Sequence, residues 1–451
     1  MQWIKKLTMM ITLSLLAACG TVQISVEIPP TPPPATPSPL PSATAVAVPP
    51  DTPTQALPSV TQTVPATVTP TPGVTTSPGT LKPGQAVTIL SIRMLDATSG
   101  WAVGQVETDL DDHLVFTQDG GQTWRDRTPQ AALEGAPSGG LVATAYFANP
   151  SNAWAIYANR NFEQAQGDHR VWYTQDGGQT WQASEPLDLS GIVQEFFTPT
   201  DLGFLDTQHG WLMAHLGVGM SHDYIAVFTT DDGGQTWQRA LDPQTNSELM
   251  GCYKTGLAFS TPSSGWLTGD CPGLMTSLFF YHTTDGGKTW QPVNLSAPAG
   301  EPGDLFAAQQ AGCGILHLVY ASARSLRFSL RCTFYQDNTS VAWLYASDDG
   351  GLTWAPRPLP TPYGNFDFTS PEEGWLVGSL HSDPSASSEV YASMDGGRSW
   401  DAIIPTGWQG VPNFVSPQHG WVVAHQGDRL ALVVTTDGGS NWSEIKPVIG
   451  P

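Results

Sequence analysis

Residues 117–124 read TQDGGQTW, and the same eight letters return at 174–181. Variants follow as TDDGGQTW (230–237), TTDGGKTW (283–290), SDDGGLTW (347–354), SMDGGRSW (393–400) and TTDGGSNW (435–442). The central aspartates, at 119, 176, 232, 285, 349, 395 and 437, are spaced by 57, 56, 53, 64, 46 and 42 residues. A second phrase precedes each of six copies: SGWAVG (99–104), NAWAIY (152–157), HGWLMA (209–214), SGWLTG (264–269), EGWLVG (373–378) and HGWVVA (419–424). The fifth unit lacks it and carries CGILHLVYASARSLRFSLRC (313–332) instead. Two turn-rich phrases recurring every 40–60 residues predict radial repetition. Each unit reads as strand A, a polar turn, strand B opening on Trp, a variable loop, strand C, the DGG turn, and strand D opening on Trp. Short runs such as RVWYT and DYIAVFTT suit strands C. The prediction is an all-β, seven-bladed β-propeller of four-stranded antiparallel blades over 87–451. Radial repetition also lets a long chain avoid one oversized core.

The eight-letter phrase resembles the Asp-box, or bacterial neuraminidase repeat, and its chemistry suits a structural turn. The carboxylates of Asp119, Asp176, Asp232, Asp285, Asp349, Asp395 and Asp437 can accept N–H groups of their own turn, and the glycines supply positive φ. The tryptophans at 124, 181, 237, 290, 354, 400 and 442 (Trp124, Trp181, Trp237, Trp290, Trp354, Trp400, Trp442) can each bury a large face against the adjacent sheet. Thirteen of the 17 tryptophans fall at the two repeated positions, which describes packing rather than a single active site. One Asp and two glycines offer too few oxygens for calcium, and no cofactor or metal is expected. Strand order puts both phrases on one face of the ring. The B–C and D–A loops share the other, and ligand binding is expected there.

The N-terminus, MQWIKKLTMMITLSLLAACG, has a basic pair, a short apolar run and Leu16-Ala17-Ala18-Cys19, which resembles a bacterial lipobox. The expectation is a signal peptide over 1–18 and lipidation of Cys19, giving a membrane-tethered chain on the extracytoplasmic side of the cell membrane or at the cell surface. Residues 19–86 form a Pro/Thr-rich linker: 17 of the 39 prolines lie there, and Glu27, Asp51 and Lys82 are its charged residues. It cannot bury enough apolar area to order itself. As a polyproline-biased spacer it has a contour of about 200 Å at ~3.1 Å per residue, and its Thr and Ser are candidate O-glycosylation sites.

Four further cysteines lie at 252, 271, 313 and 332. Each pair brackets an A–B hairpin at its open end, so Cys252–Cys271 and Cys313–Cys332 are the favoured disulfides among three pairings. Export makes their oxidation reasonable.

Forty acidic against 18 basic side chains give a net charge of −22, which disfavours nucleic acid as a partner. Candidate binding residues come from the B–C loops: Asp109, Asp112 and His113 in blade one, with Glu107 and Asp111; Asp168 and His169 in blade two, with Glu163; His222 and Asp223 in blade three. Arg327 and Arg331 alternate with apolar residues in SLRFSLR (325–331), and read either as structural ion pairs or as a patch for a carboxylate. A sialidase would need three arginines from separate blades, an acid Asp, a Glu-activated Tyr and an Arg-x-Pro ahead of the first box. Here Arg93 is followed by Met-Leu, and APRPLP (355–360) stands elsewhere. No catalytic residue is assigned. A glycoside hydrolase using loop carboxylates is the alternative function.

The pairing of GWAVG with T-x-D-G-G-x-T-W is similar to the photosystem II assembly and stability factor family, over roughly 87–451. That resemblance implies a lipid-anchored seven-bladed propeller without enzymatic activity that binds membrane-protein intermediates. The family's arginine patch has no residue-by-residue match here, and the resemblance offers Arg327 and Arg331 as its counterpart. The expected protein is therefore a monomeric tethered module whose variable face holds a protein or glycan ligand.

Overall fold

The structure is a computed structural model describing residues 75–76, 79, 81–107, 109–134, 136–161, 168–220, 222–271, 278–306, 311–322, 324–383 and 386–451. Cys19, Glu163 and the spacer before residue 75 lie outside these.

Seven four-stranded antiparallel units follow one another at 87–126, 141–183, 198–241, 253–292, 311–358, 363–406 and 409–445, each paired A–B–C–D in chain order. Blades four and five also touch through one register pair, Asp270 with Gly314. Middle strands are buried on both faces rather than alternating. Gly100–Val106 and His113–Thr117 of blade one are nearly continuous in burial, because every blade is sandwiched between two neighbours.

Side chains of the innermost strands stitch adjacent blades together. Thr144 Oγ1 donates to the Pro199 carbonyl at 2.8 Å and Asn365 Nδ2 to the Gly410 carbonyl at 3.2 Å. Asn413 Oδ1 accepts the Met94 N–H at 2.6 Å, across 319 residues of sequence. The ring closes on blade one. Val448–Ile449 runs parallel beside its outermost strand, Thr123–Asp126, pairing Ile449 with Trp124. Ahead of Val87, Gly79 N–H donates to the Thr128 carbonyl and Gly84 N–H to that of Ile449. Thr75–Thr76 add to the outer strand of blade two. Part of the segment assigned by composition to the linker is thus bonded to the propeller.

Each box folds as its chemistry requires. In blade one, Asp119 Oδ1 accepts Thr117 Oγ1 (2.9 Å) and the Thr123 N–H (2.9 Å), and Oδ2 accepts Thr123 Oγ1 (2.6 Å). Both glycines of every box lie at φ between 74° and 99°. In blade seven Asn441 replaces the second hydroxyl, donating to Asp437 Oδ2 at 2.7 Å. The first box glycine donates its N–H to the A–B turn of its own blade in all seven units, from Gly120 to Thr98 through Gly438 to Gln418. The two repeated phrases are therefore one bonded assembly. The strand-B Trp packs forward into the next blade. Trp154 stacks on Phe204 (3.8 Å) and Trp375 on Phe414 (4.1 Å), while their Nε1 atoms donate to Gly233 (2.8 Å) and Gly438 (3.2 Å) of the following box.

Blade five (Ala311–Ser322, Ser325–Phe334, Ser340–Ser347, Ala355–Pro358) fills that slot differently. Trp266 pairs in register with His282, the residue before the box threonine. Arg327 pairs with Ala346, the residue before the box serine. Arg327 thus stands where the Trp should be, and is 1% exposed. Its guanidinium lies over Phe368 of blade six at 5.6 Å and donates to the Pro371 carbonyl at 3.1 Å. The carbonyl of Gly396, equivalent to Gly233 and Gly438, is taken by Arg357. Asp348 bridges the two guanidiniums at 2.7 and 3.3 Å.

Both disulfides join the pairs expected from the hairpin geometry, Cys252–Cys271 and Cys313–Cys332.

Candidate functional site

The structure separates the sequence-derived candidates. Arg327 is a correction: as a packed substitute for Trp it sits at the repeat-phrase end of blade five, away from the variable face. Arg331 is partly exposed, with its guanidinium over the Tyr363 ring at 4.9 Å.

The loop carboxylates are largely committed to holding blades together. Asp112 immediately precedes strand C of blade one (His113–Thr117) and grips the start of the next blade. Its N–H donates to the Leu141 carbonyl at 2.9 Å. Its Oδ2 accepts the Ala143 N–H at 3.0 Å and Oδ1 accepts Arg160 Nη2 at 2.6 Å. Asp111 accepts the Leu141 N–H at 2.7 Å; burial first, and Asp109 as well, push its carboxyl up despite that bond. Asp109 binds His113 Nε2 at 3.2 Å. Burial opposes its ionisation, but the Asp111 N–H and His113 outweigh it and hold the carboxyl low. Glu107 is simply exposed.

Blade three repeats the device. The Asp223 N–H donates to the Met250 carbonyl (2.8 Å), and its Oδ2 accepts the Lys254 N–H (2.8 Å). Its Oδ1 lies 2.7 Å from His215 Nδ1. Lys254 is 2% exposed and donates Nζ to the carbonyls of Gly251, Cys252 and Asp223 at 2.8–3.1 Å. Burial lowers its ammonium to about 8, against the pull of Asp223. In blade two, Asp168 makes an exposed pair with Arg170 at 2.9 Å. His169 stacks on Phe197 at 3.7 Å and is pushed by burial down to about 4. His222 is exposed at the tip of the blade-three hairpin. Among the described residues no group of three or more His, Cys, Asp or Glu could hold a metal ion.

What the sequence reading missed is apolar. Strands B and C of blade three (Gly210–Gly219, His222–Thr230) reach past the blade to a tip where Met220 is 97% exposed at φ +35°, a left-handed conformation uncommon outside glycine. Val218 and Tyr224 are exposed on the same hairpin, Val193 on the preceding loop and Tyr253 at the entry to blade four. These segments are bonded to one another. The Glu195 N–H donates to the Leu216 carbonyl at 2.8 Å, His222 bridges to Gly251, and the His215 and Tyr253 rings stack at 5.2 Å. Large apolar side chains at loop tips were the available signal, since a soluble surface rarely clusters them. By contrast, Leu352 and Met394 are the exposed large apolar residues of the boxes.

This geometry defines the class: the chain is a seven-bladed Asp-box β-propeller with one uniform and one individual face. The BNR/Asp-box repeat family matches residues 172–183. The family described as photosynthesis system II assembly factor YCF48 matches residues 192–319, from the blade-three loops into blade five. The chain is similar to the photosystem II assembly lipoprotein Ycf48 of Synechococcus sp. strain CC9902, at 28% identity over 35% of each chain. It therefore spans about a third of that relative's length. Similarity to the photosystem II assembly protein Ycf48 of Synechococcus sp. strain JA-2-3B'a(2-13) is 24% over 62% of this chain and 79% of that one. The solved YCF48 of Cyanidioschyzon merolae aligns at 15% identity over 80% of this chain and 98% of its own, with a TM-score of 0.46.

Proposed function

We propose that the chain is a non-catalytic, lipid-tethered docking module that holds a membrane-protein partner on its variable face, as an assembly factor does. The carrying observation is the exposure of Met220, Val218, Tyr224, Val193 and Tyr253 on mutually bonded segments of blades three and four, inside the segment matching the assembly-factor family. Exposed aromatic and Met side chains on a rigid framework are what a protein interface uses as anchors. The relatives' names supply the partner class, a photosystem II-type membrane complex caught during assembly. Against the hydrolase alternative stands the engagement of Asp111, Asp112 and Asp223 in blade-to-blade bonds. A carboxylate pair for glycoside cleavage needs one acid and one base free to reach the substrate. The Tyr391–Glu389 pair, at 2.6 Å, recommends itself no better as a nucleophile. Burial, then the Glu389 carboxylate, push its phenol up to about 12. Cys19 and the Pro/Thr spacer would put the docking face at a membrane while leaving it freedom of orientation.

The test is site-specific photocrosslinking in source cells. A photoreactive phenylalanine at Met220 or Tyr253 should trap a reproducible membrane protein, and one at Leu352 or Met394 should not. Equal capture from both faces, or none from the first, would sink the reading.

A further inference from the structure

Blades five and six meet on the variable face around two adjoining hollows of about 650 and 200 Å³ that share Leu380 and His381. They lie away from the apolar cluster of blades three and four, and their chemistry is the opposite. The larger is lined by Asn338, Ser340, Tyr363, His381 and Asp383 among others, with Leu380 and Ala386 its apolar members. The smaller is lined by Ser388, Glu389 and Tyr391. Hydroxyls dominate and are already linked: Thr333 to Ser340 at 2.8 Å, and Ser340 to the Tyr363 hydroxyl at 3.1 Å. Ser388 is 4% exposed, lines the smaller hollow, and its Oγ has no hydrogen-bond partner. That oxygen is itself closed off beneath the wall, so the groups a ligand can reach are the hydroxyls, carboxylates and rings that line the hollows.

We propose that this cleft is a binding site for a neutral oligosaccharide. The mostly polar lining of the larger hollow disfavours a lipophilic ligand, which needs predominantly apolar walls. It also disfavours an anionic one: Asp383 and Glu389 bring negative charge to a chain already at −22. No Lys or Arg is among the lining residues, and Arg331 is turned onto the Tyr363 ring. Sugar hydroxyls donate to carboxylates and exchange either role with Ser, Thr and Tyr hydroxyls. The Tyr363 ring, backed by Arg331, offers the aromatic surface against which a pyranose packs. The site is independent of the protein-docking reading and would place the module on a cell-surface glycan while its other blades hold a protein.

The test uses the full chain, titrated calorimetrically with cellotriose, xylotriose, triacetylchitotriose and, as the acidic control, trigalacturonate. At least one neutral trisaccharide should bind in preference to trigalacturonate. His381→Ala, on an exposed loop, should weaken that binding roughly tenfold. Tyr363→Leu should weaken it too, because it removes the aromatic face and the hydroxyl at the wall of the larger hollow. Three results would each overturn the proposal: no binding of any neutral trisaccharide, preference for trigalacturonate, or unaltered binding by both variants. None of these bears on the crosslinking at Met220 and Tyr253.

Discussion

Blade five and the six blades around it meet the same packing demand with different chemistry. In five of those six the strand-B indole donates to a carbonyl of the next blade, as Trp375, stacked on Phe414, does to Gly438; Trp266 of blade four stacks on His282 and leaves its Nε1 unpaired. In blade five, Arg327 covers Phe368, Arg357 takes the Gly396 carbonyl, and Asp348 neutralises both. An indole is a low-cost solution because it buries a large apolar face and satisfies one donor. Two guanidiniums in the same space depend on a counter-charge, so the local stability of blade five should be tied to a single carboxylate. The repeat is conserved in shape where it is broken in letters.

The largest expected effect tests what all seven blades share. Every box aspartate is held below its ordinary value. For Asp349 and Asp395 the second hydroxyl and its N–H, from Thr353 and Ser399, bring the carboxyl to about 2. In Asp119, Asp176, Asp232 and Asp285 burial opposes the shift but the same bonds outweigh it, and in Asp437 Asn441 supplies them. As pH falls below about 4 the unfolded chain takes up protons that the folded boxes, held lower, still refuse, Asp349 and Asp395 down to about 2. The unfolded state then binds more protons, and stability falls with pH across that window. Thermal melting followed from pH 6 to pH 2 should show a steep collective loss between 4 and 2. A flat profile there would break the claim that the boxes are a common electrostatic scaffold.

The next effect separates the two packing solutions. Trp375→Ala should cost about 4 kcal/mol, as a large aromatic truncated in a close-packed core does. Asp348→Asn should cost about 2–3 kcal/mol. Breaking a buried ion pair costs about 3–5 kcal/mol, discounted because the Asp348 side chain is 52% exposed and screened by solvent. Denaturant unfolding monitored by tryptophan fluorescence measures both. An Asp348→Asn variant as stable as the wild type would mean that Arg327 is held by the carbonyls of Leu326, Ser347 and Pro371 alone.

Much of this was legible in the sequence, and the limits have physical causes. Blade number followed from the boxes because each box is a closed local network whose partners lie within a few residues. The disulfide pairs followed from hairpin geometry. Arg327 was visible as an oddity but not as a Trp substitute. B–C loops differ in length, so the slot is defined by cross-strand register with Ala346 and not by any fixed spacing. Arg357, within APRPLP, looked irrelevant because its partner carbonyl belongs to another blade. Asp112 and Asp223 were singled out for their position, but their bonding partners start the following blade some thirty residues away. The closing strand, Val448–Ile449, is two residues long and leaves no periodic signal. Tyr253 and Met220 carry no motif at all; their meaning is exposure, which only the fold reveals.

The smallest expected effect is the sharpest control on the comparison. Asp231 occupies in blade three the position Asp348 occupies in blade five, immediately before the box aspartate. The forward slot of blade three is filled by Trp211, whose Nε1 donates to the Leu257 carbonyl at 3.0 Å. Asp231 therefore has no guanidinium pair to neutralise, and it makes no ion pair among the described residues. Asp231→Asn should change stability by no more than about 0.5 kcal/mol, the usual range for a surface substitution away from a specific partner. The difference between the two Asp→Asn variants, about 2 kcal/mol by these figures, isolates what the missing Trp imposes on blade five. Should Asp231→Asn cost as much as Asp348→Asn, the acid at that position would be serving the box turn itself. The two guanidiniums would then be packed around a carboxylate that every such box needs, rather than one recruited to replace an indole.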